Sequence, residues 1–201
     1  MLSHKKVIII LVSLLGLFVA LVVLRLVLTN LALTDQEKYL AKLSSPALEG
    51  NLVAPIVGPS DPWQGSDKAK VTIVVFESFT CSHCAEQNNI LTKLLENSGN
   101  KVKLVWKDFM GPSAQTALRA SVAARCAQGQ GKFWEFHDGL FANQLNLSDS
   151  LYKDLAMQLK LDENQFNQCF TTQATLSLVQ NSYNEGLALG VDGTPYLFVN
   201  D

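Results

Sequence analysis

The sequence predicts an α/β domain split by a long α-helical insertion and preceded by a helix that spans a membrane. Three observations predict it. A charge-free apolar run follows Lys5 and Lys6 near the N-terminus. A β-branched run at 71–76 and a second strand-like run at 102–106 flank a helical stretch. Segments of helical periodicity then fill the chain up to a last apolar run at 196–200. The 201 residues, 48% of them hydrophobic and 17% charged, suffice for one domain with a core plus a modest appendage. A formal net charge of −2 offers no basic face, so no nucleic-acid partner is expected.

The N-terminal run VIIILVSLLGLFVALVVL, residues 7–24, carries no charge and has only Ser13 and Gly16 as soft spots. Leu26 to Leu28 extend it past Arg25. About 20 apolar residues cross the hydrocarbon of a bilayer as a helix. A cleaved signal peptide has a shorter apolar core and a small-x-small site, which only Asn30-Leu31-Ala32 approaches here. The other reading, a buried helix of the folded domain, would show a polar face, and this run has none. Residues 1–30 are therefore expected to form a cytoplasmic tip and an uncleaved anchor, with residues 7–28 in the lipid bilayer. Lysines on the short side hold that end in the cytoplasm. The expectation is a single-pass protein of the cell membrane with its folded domain outside, where disulfides persist.

Residues 31–66 read as a stalk or linker, with Pro46, Pro55, Pro59 and Pro62 favouring extended backbone, and a short helix is possible at 35–43. The folded domain is placed at 67–201. Val71 to Phe76 suits a strand buried on both faces. A helix follows Cys81 to about Glu96, with Ile90, Leu91, Leu94 and Leu95 as its apolar stripe, and Ser98-Gly99-Asn100 ends it. Val102 to Trp106 reads as the second strand, and strand–helix–strand implies a right-handed parallel crossover. The insertion occupies about 112–189. Its helices are marked by Leu118, Val122 and Cys126, by Phe133, Phe136 and Leu140, and by Leu151, Leu155 and Leu159. Asp162 with Gln165 resembles a capping box ahead of Phe166, Cys169 and Phe170. A last helix is expected over 172–189, then Gly193-Thr194-Pro195 and a third strand at 196–200.

Cys81-Ser82-His83-Cys84 falls where a strand hands over to a helix. Thiolate, not thiol, attacks a disulfide, and a free cysteine is mostly protonated at neutral pH. The unpaired amides and macrodipole of a helix N-terminus favour the anion, and a protonated His83 adds to this. Cys81 is then the exposed, attacking sulfur, and Cys84 the buried one that resolves a mixed disulfide. Other readings compete: half a zinc site completed by Cys126 and Cys169, or a structural disulfide across one helical turn. A c-type haem needs His directly after the second Cys, where Ala85 stands. Thr194-Pro195 is ordinary turn punctuation, or a cis-proline loop packed against the cysteines with backbone ready to pair with a substrate strand.

FTCSHC after a hydrophobic strand, QGKFWEFHDGLF in the insertion and GVDGTPYLFVN near the end together resemble the DsbA-like disulfide oxidoreductases, over about residues 61–201. The resemblance implies a thioredoxin-like fold with a helical insertion, nucleophilic Cys81, resolving Cys84 and cis Pro195. It further implies cysteine-containing exported proteins as substrates and a membrane quinone-linked partner that reoxidises the pair, with no metal or organic cofactor. Two departures stand out. Where the family often has a buried acid six residues before the first cysteine, this chain has Val75; Glu77 either takes its place from the same strand face or is a solvated loop residue. The resemblance also implies a further strand and closing helix, yet the sequence stops at Asp201, and a C-terminally truncated sequence is the expectation.

Cys126 and Cys169 lie on apolar faces of insertion helices. They are buried free thiols or, as the even pair left over in an exported protein, a structural bridge. His137 and Trp134 are expected to pack or cap. A reductase or isomerase uses the same cysteines in the other direction, and a peptide-binding module would use only the groove beside Pro195.

Overall fold

The computed structural model describes residues 16, 18–25, 52–111 and 114–200. The chain divides into two units, 1–45 and 46–201. In the first, residues 18–25 are helical and exposed. Among the described residues no helix is long and apolar enough to cross a membrane. Most of the expected anchor at 7–28, and the short helix at 35–43, lie outside the described residues.

The second unit is built on a four-stranded sheet. Strands β1 (Trp63–Gly65), β2 (Val71–Glu77), β3 (Val102–Asp108) and β4 (Tyr196–Val199) lie in the order β1-β3-β2-β4. Helix α1 (Ser82–Asn97) joins β2 to β3, which run parallel, while β4 is antiparallel to β2 and β1 to β3. Between β3 and β4 come α2 (Gln115–Gln128), α3 (Phe133–Ala142), α4 (Asp149–Gln158), α5 (Glu163–Thr172) and α6 (Leu176–Ala188), with one 3-10 turn at Gln144–Asn146. This is the α/β architecture with a helical insertion. β2 is an interior strand, and Ile73 to Phe76 are all buried. A strand covered on both faces needs an unbroken apolar run rather than alternation.

Three boundaries differ from the sequence reading. The stalk expected to reach residue 66 is too long: Trp63–Gly65 forms β1, with Trp63 opposite Val105. The Pro62 carbonyl accepts the Trp106 N–H at 2.9 Å. Extended, proline-punctuated backbone is what a sheet edge accommodates. β2 and β3 each run past their apolar cores, to Glu77 and Asp108. The last helix, expected over 172–189, starts later: α5 runs to Thr172, Gln173 caps it in the left-handed conformation, φ 52°, and α6 begins at Leu176. Asp162 caps the start of α5, accepting the Gln165 amide at 2.9 Å.

Trp106 joins sheet to insertion. It is fully buried, stacked on Phe79 at 4.8 Å between ring centroids, with the His137 ring of α3 edge-on at 4.9 Å. An aromatic side chain buries roughly 200 Å², so at about 25 cal/mol per Å² this contact contributes several kcal/mol, more than any surface ion pair. Gly186 lets α6 lie against the sheet, since a Cβ there would stand 2.6 Å from Phe109 Cδ2.

Two buried cations tie the layers. Arg125 Nε donates to Asp108 Oδ2 at 2.7 Å, and Asp108 Oδ1 also accepts from Trp106 Nε1 at 3.0 Å. Lys107 Nζ donates to Asp61 at 2.9 Å, Glu185 at 2.8 Å and the Ile56 carbonyl at 2.7 Å. All three ammonium donors are matched, the condition under which a buried charge is tolerated. Cys126 of α2 and Cys169 of α5 are joined by a disulfide.

Candidate active site

β2 ends at Glu77, and a short turn delivers Cys81 to the N-cap of α1 in extended conformation. The turn is closed by Cys81 N–H donating to the Ser78 carbonyl at 3.1 Å, and α1 begins with the Cys84 and Ala85 amides on the Cys81 carbonyl. Cys81 is partly exposed, Cys84 is 0% exposed, and both carry free thiols. The site therefore holds one accessible sulfur and one shielded sulfur a helical turn apart.

Electrostatics separates the two further. Burial alone pushes the Cys81 thiol up. Hydrogen bonds to the thiolate from Thr194 and the Cys84 thiol, then from the amides of Cys84 and His83, more than cancel this, so Cys81 falls below its ordinary value of 9.0. One contact works the other way: the thiol donates to the Thr194 carbonyl at 3.3 Å, but only while its proton is present. Cys84 is driven well above the ordinary thiol value, first by burial, then by the Cys81 sulfur and the Glu77 carboxylate.

Glu77 is 1% exposed, and its Oε1 is buried without a hydrogen-bond partner. Burial, then repulsion from the Cys81 thiolate, pushes its carboxyl up to about 8. Of the two sequence readings, a solvated loop residue is set aside: β2 continues through Glu77, in register with Asp108.

The remaining motif residues divide. The Thr194-Pro195 bond is cis, and Thr194 meets Cys81. Ser82 is exposed as the first residue of α1. The His83 ring lies on the surface against Glu86, 3.3 Å away, so its contribution to the thiolate comes from its backbone amide. His137 is buried in the aromatic set, with Nδ1 2.9 Å from Asp138, and Trp134 Nε1 donates to the Trp63 carbonyl at 2.9 Å. The Cys126–Cys169 bridge leaves a four-thiolate zinc site without two of its ligands. Among the described residues no group of three or more His, Cys, Asp or Glu could hold a metal ion.

One contributor has no signature in the sequence. Gln144, in the 3-10 turn after α3, donates from Nε2 to the carbonyls of Phe79 at 2.9 Å and Cys81 at 2.8 Å. These contacts join residues 65 and 63 positions apart, beyond the reach of any local pattern.

A family model described as thioredoxin matches residues 58–201. Among curated proteins, the Na(+)/H(+) antiporter NhaA 1 of Salinispora arenicola is 30% identical over 154 residues, covering 75% of this chain and 23% of that protein. NhaA 1 of Mycolicibacterium gilvum is 31% identical over 165 residues, 79% of this chain and 26% of that protein. The chain thus spans about a quarter of the length of these curated relatives. Oxidised BdbD from Bacillus subtilis shares the fold with a TM-score of 0.66 at 24% identity, over 71% of this chain and 82% of that one. α-DsbA1 from Wolbachia pipientis gives a TM-score of 0.63 at 25% identity, over 73% and 78%. The chain belongs to the thioredoxin family and has the fold of its DsbA-like thiol–disulfide oxidoreductases.

Proposed function

We propose that this chain is a thiol–disulfide oxidoreductase that donates the Cys81–Cys84 disulfide to cysteine-containing exported proteins. The observation that carries the reading is the asymmetry of the two sulfurs: Cys81 accessible and favoured as an anion, Cys84 buried and favoured as a thiol. A substrate thiolate attacks Cys81 Sγ; the substrate–Cys81 bond forms, the Cys81–Cys84 bond breaks, and Cys84 departs with the electron pair. So basic a sulfur leaves poorly without a proton. Glu77, still largely protonated near neutral pH, supplies one from its buried carboxyl. A second substrate thiolate then attacks the substrate sulfur, and Cys81 leaves as the thiolate that Thr194 and the start of α1 favour. The substrate ends with a disulfide and the protein with two thiols. Stabilising the reduced form makes the disulfide more oxidising, by about 30 mV for each 1.4 kcal/mol. No metal or organic cofactor enters these steps.

We place the reaction outside the cytoplasmic membrane, with residues 7–28 as anchor and a quinone-linked membrane partner to reoxidise the pair. Lys5 and Lys6 ahead of the apolar run support this orientation. So does the Cys126–Cys169 disulfide, which persists in oxidising compartments. Labelling of intact cells with a membrane-impermeant maleimide tests it, and an unlabelled Cys81 would move the domain inside.

Trapping tests the chemistry. Cys84→Ala should accumulate mixed disulfides between Cys81 and exported proteins, and Cys81→Ser should accumulate none. Equilibration with glutathione tests the direction. A potential near or below roughly −270 mV, the thioredoxin range, would make the protein a reductase instead.

A further inference from the structure

The helical insertion grips the active-site turn at two levels. At the side-chain level, the Phe79 ring is held between Trp106 of β3, at 4.8 Å, and His137 and Phe141 of α3, at 5.6 and 5.2 Å. At the backbone level, Gln144 Nε2 donates to the Phe79 carbonyl at 2.9 Å and to the Cys81 carbonyl at 2.8 Å. A primary amide has two N–H donors. Both of those of Gln144 are used on one turn of chain, two residues apart.

The particular carbonyls matter. The Cys81 carbonyl is the acceptor that starts α1, taking the amides of Cys84 at 3.1 Å and Ala85 at 3.3 Å. Gln144 therefore bonds the peptide group that fixes where α1 begins, in the residue whose Sγ reacts. Its two N–H bonds turn the positive end of an amide dipole toward Cys81 on partly buried ground, where such dipoles are weakly screened. Positive potential there favours the anionic sulfur that appears when the disulfide is opened. Neither effect needs contact with substrate.

We propose that Gln144 is a positioning residue for Cys81, through which the helical insertion tunes the Cys81–Cys84 couple. This rests on the redox reading above. The insertion then does more than widen the domain: a side chain of its 3-10 turn fixes the backbone of the reacting cysteine.

The test uses the full 201-residue chain. Three variants are compared with wild type. Gln144→Glu keeps the size but presents acceptors and a negative charge to two carbonyls. Gln144→Leu removes polarity, and Gln144→Lys keeps a donor. Two readouts are taken: the pH profile of Cys81 alkylation by iodoacetamide in a Cys84→Ala background, and the equilibrium of the intact pair with glutathione. We expect alkylation at acidic pH to slow about tenfold in Gln144→Glu and severalfold in Gln144→Leu, with Gln144→Lys at or above wild type. The glutathione equilibrium should shift in the same order, the Glu variant being the poorest oxidant. A fall in melting temperature with unchanged profile and equilibrium would make Gln144 a structural tie only and overturn the proposal. A wild-type Cys81 that ionises like free cysteine would overturn the redox reading itself, and this proposal with it.

Discussion

Replacing Glu77 by Gln turns one buried carboxyl oxygen into an amide nitrogen, and the stability of the reduced protein should then depend on pH differently. The carboxyl, ordinarily at 4.5, sits at about 8 in the folded chain, chiefly because it is buried and secondly because of the Cys81 thiolate. The folded state thus holds this proton more tightly than the unfolded state does. The associated stability is fully present below pH 4.5 and is lost as pH rises through about 8. A displacement of about 3.5 in pKa, at 1.36 kcal/mol each, amounts to roughly 5 kcal/mol, of which about 3 is gone by pH 7. That is a large part of the stability of an ordinary domain. Glutamine cannot ionise, so Glu77→Gln should gain on wild type by about 5 kcal/mol between pH 4 and pH 9. Urea denaturation across that range, with Cys81 and Cys84 reduced, measures the difference, and groups not coupled to Glu77 cancel. Parallel wild-type and variant curves would refute the reasoning, because a solvated carboxyl gives no such divergence. The same variant should slow opening of the disulfide, since Cys84 loses its proton source.

Three further outcomes follow from the packing. Cys126→Ala with Cys169→Ala releases a cross-link spanning 43 residues and should cost up to about 4 kcal/mol in urea while leaving the Cys81 alkylation profile in place; a changed profile would make the bridge part of the redox site. Arg125→Met strands the Asp108 carboxylate and should cost about 3–5 kcal/mol, much of it recovered on adding Asp108→Leu; equal melting of single and double variants would refute the pairing. Gly186→Ala gains about 1 kcal/mol of helix propensity but drives a Cβ to 2.6 Å from Phe109, for a net loss of about 1 kcal/mol; a raised melting temperature would show that the ring gives way.

The sequence made legible what local chemistry encodes. The run 71–76 is β2 because β-branched residues buried on both faces leave a continuous apolar mark, and 102–106 is β3, apolar except at the half-buried Lys103. The strand-to-helix junction at Cys81 followed from the same reading, as did the Asp162 cap. β1 escaped notice because three residues after a proline carry no periodicity and owe their state to β3. The start of α6 was set four residues too early because Gln173, not glycine, takes the left-handed cap of α5. Glu77 was left between two readings because its burial depends on how far β2 continues. His83, prominent in the motif, turns its ring to Glu86, because the outward face of the first turn of α1 is solvent. The Gln144 contacts and the Lys107 cluster bring together residues more than 45 positions apart, which no window along the chain can register.

The Lys107 cluster also bears on mechanics. Phe76 of β2 lies beside Lys107 in the sheet, five residues before Cys81, so the knot of Lys107, Asp61, Glu185 and the Ile56 carbonyl sits at the level where β2 approaches the reactive turn. One ammonium thus fastens the lead-in, at Ile56 and Asp61, to β3 and α6 before the chain enters β1.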